Sequence, residues 1–89
     1  MRAENLIVND RISVTKERYG SSLSVDPLHF HPQDAVVIYL RGGYVWSAAS
    51  FYGPDHVRRG DVRVVPGNVL HATGNAGSDP LEFLLIVPQ

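Results

Sequence analysis

The 89-residue sequence carries 8 Lys and Arg against 9 Asp and Glu, a formal net charge of −1, with both signs scattered along its length, which gives no electrostatic footprint for nucleic acid or an anionic membrane. It has no cysteine, so a disulfide framework and a thiolate metal site are excluded and any metal must be held by nitrogen and oxygen. A chain of this length forms one domain, 1–89, with a modest core that buries roughly 60–65% of its unfolded surface.

The apolar stretch Leu6-Ile7-Val8 stops at Asn9-Asp10, short of a signal sequence or membrane span, and a cytoplasmic protein is expected. From there the chain runs in short β-branched and aromatic segments punctuated by Gly, Pro, Asn and Asp, a pattern that predicts an all-β fold. Residues 11–19 form the first long strand, in which Ile12-Ser13-Val14-Thr15-Lys16 alternates apolar and polar side chains, one face buried and one solvated. Gly20-Ser21-Ser22 breaks it. Residues 28–31 form a short extended piece limited by Pro32, because proline has no N–H for a ladder. The continuous apolar run Ala35-Val36-Val37-Ile38-Tyr39-Leu40 suits a strand covered on both faces, and Gly42-Gly43 permits a tight hairpin into residues 44–49. Gly53-Pro54-Asp55 and Gly60-Asp61 read as turns, and the strand Val62-Arg63-Val64-Val65 stops at Pro66-Gly67-Asn68. Residues 74–80 are rich in turn formers, and 81–87 make a final apolar strand closed by Pro88. About eight or nine short strands imply a sandwich or jelly-roll barrel.

The chemistry begins at His29-Phe30-His31. Residues two apart on a strand share a face, so the two imidazoles converge while Phe30 points away. Histidine pairs also occur on strands as hydrogen-bonded residues, and a metal site needs a third ligand. His71 supplies it if the chain folds back, since Gly60 to Asn75 reads GDVRVVPGNVLHATGN, a strand, a proline-punctuated turn and a strand beginning near His71. This segment resembles the second conserved motif of the cupin superfamily, with Gly60, Pro66, His71 and Asn75 at the spacing that family uses. The first motif is recognisable in Gly20, His29 and His31, followed by the apolar run to Gly42. Together the two motifs cover over half the chain.

The resemblance implies a small single-domain bacterial cupin, an RmlC-like double-stranded β-helix (jelly-roll) barrel with one divalent metal on His29, His31 and His71. Two positions depart from the family pattern. Ala35 stands where a glutamate usually follows the second histidine by four residues, so a fourth protein ligand must come from elsewhere. Gln33 is the candidate if alternation from His31 is strict, Asp34 if a bulge rotates it inward. Asn68 stands where glycine is usual, and asparagine also accepts the left-handed backbone of such turns.

Three neutral imidazoles could hold Zn²⁺, Fe²⁺, Mn²⁺, Ni²⁺ or Cu²⁺, with positions left open for water or a chelating ligand. Two functions follow from the resemblance: a metal-dependent enzyme of the dioxygenase or isomerase type acting on a small polar molecule, or a non-catalytic small-molecule binding or sensor barrel, with or without metal. Asp34, Asp61 and Tyr39 are candidate acid/base groups, although Asp61 follows a turn glycine and suits fixing that turn. Tyr39 shares parity with Ala35 and is the candidate pocket wall, while Trp46, Phe51 and Phe83 read as core. Arg41 and Arg63 read as exposed strand charges, with anchoring of an anionic ligand as the alternative. His56, beside Arg58 and Arg59, reads as a solvated loop residue. So small a barrel leaves edge strands exposed, and a homodimer joined through residues 11–19 or the C-terminal strand would cover them.

Overall fold

The computed structural model describes residues 2–20, 25–47, 52–68 and 70–89, and the side chains of all of these except 2, 25–29, 46–47, 52–54 and 71; the described residues form nine strands and no helix. They are β1 (Arg2–Val8), β2 (Ile12–Tyr19), β3 (Val25–His29), β4 (Ala35–Arg41), β5 (Gly43–Ser47), β6 (Tyr52–Val57), β7 (Val62–Val65), β8 (His71–Asn75) and β9 (Leu81–Pro88). Every pairing is antiparallel, in a five-stranded sheet ordered β1-β2-β9-β4-β7 and a four-stranded sheet ordered β3-β8-β5-β6. The all-β jelly-roll expectation is met.

The core lies between the two sheets. Tyr19, Val37, Tyr39, Val45, Val57, Leu81 and Phe83 form one buried cluster, with Val65 and Leu85 packed against it. Phe83 sits at its centre, edge-on to Tyr19 at 5.1 Å and tilted against Tyr39 at 5.7 Å, geometries that suit the aromatic quadrupole. Phe83 and Tyr39 are thus core residues; Phe51 and the side chain of Trp46 lie outside the described residues.

Several local expectations are corrected. Gly53-Pro54-Asp55 is part of β6, not a turn. Strand β6 is the edge of its sheet, and its pairing with β5 slips between Val45 and Ser47, so Pro54 interrupts no required ladder bond. Gly74 and Asn75 complete β8, and β1, which the reading of residues 6–8 did not anticipate, pairs along β2. In β2 the buried face is that of Glu17 and Tyr19, so Ile12 and Val14 stand on the opposite face of the sheet. In β4 only Ala35, Val37 and Tyr39 are buried; Val36, Ile38 and Leu40 are half-buried.

The outer face of the five-stranded sheet is consequently apolar. Register alignment sets Val64, Val36, Ile86, Val14 and Ile7 in one row across all five strands, with Val62, Ile38 and Leu84 in the next. Val62 and Val64 are about 60% exposed. The expected routes to a dimer also change: β2 and β9 are paired on both sides, so neither offers a free edge.

Candidate functional site

Of the three histidines of the sequence reading, His29 ends β3, His71 begins β8, and His31 lies two residues past the end of β3. Strand β3 pairs with β8 so that His29 lies directly opposite His71, and residues opposed in this way share a face of an antiparallel sheet. The register depends on an irregularity between Asp26 and His29. Asp26 opposes Thr73 and His29 opposes His71, two positions of equal parity, although Asp26 and His29 are an odd number of residues apart. Pro27 lies in this bulge, and β3 is an edge strand, where a missing N–H is tolerated. His71 has the parity of Asn75, which is opposite Val45 of the core.

The loop between β7 and β8 is tied to the segment carrying His31. Asn68 N–H donates to the His31 carbonyl at 2.7 Å, and Gly67 N–H donates to Asp34 Oδ1 at 2.8 Å. A Cβ at Gly67 would lie 2.7 Å from the Gln33 carbonyl carbon, so glycine is required there for close approach. The left-handed position is Asn68, with φ of 59°, as its residue type allows. Pro66, Gly67 and Asn68 thus deliver the chain into β8 against residues 31–34.

His31 is half-buried, and the exposed Phe30 and Leu70 flank the histidine positions with apolar side chains. The side chains of His29 and His71 lie outside the described residues. Among the described residues no group of three His, Cys, Asp or Glu side chains is disposed to hold a metal ion. Gln33 and Asp34 are both exposed, and one Asp34 oxygen is committed to Gly67. Ala35 is fully buried opposite Val65, so the position where the cupin pattern has glutamate faces inward but offers no ligand atom. Asp61 acts as expected, its Oδ2 accepting from Arg58 N–H at 2.7 Å across the turn that Gly60 enters at φ of 91°.

His56 stands apart from this group. It is on β6 rather than in a loop, its ring 5.0 Å from Tyr44, in a cleft of about 340 Å³ that Arg58 and Arg59 also line. That cleft includes Gly77, beyond the Asn75 end of β8, whereas His71 begins the strand. Asn75 braces the same end: 2% exposed, it donates from Nδ2 to the carbonyls of Gly20 and Asp79 and accepts from Gly77 N–H at 2.8 Å.

The sequence profile of the cupin family matches residues 3–89. The chain belongs to the cupin family. Solved structures agree on the architecture of this cupin. A cupin domain from Bordetella pertussis superposes with a TM-score of 0.82 at 22% identity, over 99% of this chain and 92% of that one. An RmlC-like cupin with a double-stranded β-helix fold from Methanocaldococcus jannaschii gives a TM-score of 0.82 at 21% identity, over 98% and 78%. The DMSP lyase DddQ of Ruegeria pomeroyi gives 0.80 at 20% identity, over 99% of this chain and 46% of that one. No curated protein matches the sequence. Similarity at these identities establishes a shared fold.

One feature of the cupin interior escaped the sequence reading. Arg63 is not an exposed strand charge: it pairs in register with buried Val37 and forms an ion pair with Asp55, which opposes buried Val45 in the other sheet. Alternation along Val62-Arg63-Val64-Val65, anchored on Val65 against the core, was the only signal that could have placed it. Tyr39 is 5% exposed, and burial raises its pKa, with Arg63 opposing the rise and Asp55 and Asp61 adding to it.

Proposed function

We propose that this cupin binds one divalent metal ion through His29, His31 and His71 and receives a small polar molecule between its two sheets. The observation that carries the reading is the backbone register that opposes His29 to His71, together with the bond from Asn68 N–H to the His31 carbonyl. The donor set is imidazole nitrogen, which suits Zn²⁺, Fe²⁺, Mn²⁺, Ni²⁺ or Cu²⁺. A metal held by three protein ligands has room for a further one and would supply Lewis acidity or redox chemistry to a bound molecule. The catalytic form of this reading is a dioxygenase or an isomerase. The non-catalytic form, a binding or sensor barrel, is supported by Ala35, whose inward position carries no carboxylate. With Asp34 exposed and bonded to Gly67, neither it nor Gln33 is needed in the ligand set.

The deciding experiment is elemental analysis of untagged protein purified without chelators, with a His29→Ala variant in parallel. About one equivalent of a first-row metal, lost in the variant, supports the three-histidine site. Absence of metal even after reconstitution sinks it and leaves the metal-free binding barrel.

A second copy of the chain is the partner that fits the outer face of the five-stranded sheet. One apolar row crosses all five strands and a second crosses β7, β4 and β9, a contiguous apolar face of the kind that marks an interaction surface. Face-to-face packing of a homodimer covers them without using any strand edge.

A further inference from the structure

Strand β7 turns a charge inward. Two of its three valines, Val62 and Val64, face outward at about 60% exposure, while Arg63 shares the inward face with Val65 and lies opposite Val37. A slip of one residue would bury both valines and release the charge, yet four consecutive pairs, from Ala35↔Val65 to Ile38↔Val62, hold the present register. Asp55 holds the guanidinium from the opposite sheet through a contact of its Oδ2 with Nη2. Both partners remain partly open, with side-chain exposures of 35% for Arg63 and 44% for Asp55. A half-exposed ion pair adds little to stability, so clasping β6 to β7 is a weak reason to turn an arginine inward.

Resting on the reading that a small molecule enters between the sheets, we propose that Arg63 is the anchor for a carboxylate group of that ligand, with Asp55 as the residue that positions the guanidinium. A single Asp55 contact occupies one hydrogen of Nη2, and the other Nη2 hydrogen with its neighbour on Nε or Nη1 leaves one planar fork able to meet a carboxylate in two parallel hydrogen bonds. The local charge argues for one negative charge on the ligand rather than two. Arg63 is the cation here, Asp55 already balances it in part, and Asp61 adds negative charge near Tyr39. A phosphate dianion would lack a second cation, whereas a carboxylate monoanion needs only the unused donors. Tyr39, two residues along β4 from Val37 and packed on Phe83, closes the wall beside the pair.

The test is NMR titration of ¹⁵N-labelled protein with acetate, a carboxylate monoanion, following the Arg63 Nε–Hε signal and the backbone amides of Val37 and Asp55 at constant ionic strength, with chloride and inorganic phosphate as comparison anions. The titration is run on chelator-treated and on zinc-loaded protein. A saturable shift with acetate that chloride does not produce is expected; read in the backbone amides, its affinity is weakened at least about tenfold in Arg63→Lys, which keeps the charge and loses the fork, and is unchanged in Arg41→Met. Response to acetate without zinc uptake supports the anchor while removing the three-histidine reading. Zinc uptake with an Arg63 signal indifferent to acetate in both forms overturns the anchor and leaves the metal reading standing. Phosphate binding tighter than acetate overturns the assignment to a carboxylate. The wild-type titration decides the matter even if Arg63→Lys fails to fold.

Discussion

Replacing Asn75 by alanine removes a brace on which three segments depend. Its Nδ2 donates to the carbonyls of Gly20 and Asp79, and its Oδ1 accepts from Gly77 N–H at 2.8 Å, all from a side chain that is 2% exposed. A net hydrogen bond contributes about 1 kcal/mol, and its loss leaves each partner unsatisfied unless water reaches it. Gly20 and Asp79 lie in loops that water can approach, so the low end applies and three bonds sum to roughly 3 kcal/mol. Against a total stability of roughly 4–13 kcal/mol for a chain of this length, this is a large fraction. It corresponds to a fall in Tm of about 12–24 °C. Urea unfolding followed by circular dichroism should show a lower midpoint with an unchanged m-value. Asn75→Asp separates hydrogen bonding from packing, because it preserves shape but aims an oxygen at two carbonyls. The introduced carboxyl would have a folded-state pKa raised above its unfolded value. Its stability contribution is then fully present below about pH 4 and lost as pH rises through the raised value. A loss under about 1 kcal/mol in the alanine variant, or an aspartate variant indifferent to pH, would refute the bracing argument.

Metal affinity measured by equilibrium dialysis should fall steeply as pH drops through about 6, where imidazoles protonate; His71→Ala should abolish it and His56→Ala leave it intact, and equal effects of the two would remove the proposed site. Tyr39 should ionise above the ordinary tyrosine range in an ultraviolet absorbance titration, because burial raises its pKa. A raised tyrosine pKa gives stability that is complete below about pH 10 and lost as pH climbs through the folded value, and Tyr39→Phe should remove that alkaline step. Light scattering after size exclusion should report a dimer for the native chain and a monomer for Val64→Glu, whose thermal stability as a monomer stays close to native because Val64 is already exposed; a native monomer at micromolar concentration would exclude the homodimer.

What the sequence determined by itself were the features that depend on local chemistry. Short β-branched runs between turn formers specified strands, Gly60 and Asp61 specified a hydrogen-bonded turn, and Asn68 accepted the left-handed backbone. The two motifs identified His29, His31 and His71 as the residues to follow, and parity along β4 placed Tyr39 on the face of Ala35. The tertiary structure decided which face of each strand is inside. Alternation reads equally well in either direction, so Ile12 and Val14 looked buried and Arg63 looked exposed until pairing with β9 and β4 fixed the sides. Proline in Gly53-Pro54-Asp55 indicated a turn because its tolerance on an edge strand depends on a neighbour that the local sequence does not contain. The opposition of His29 to His71 depends likewise on a bulge and on a ladder between segments about forty residues apart in the chain, which local spacing does not specify.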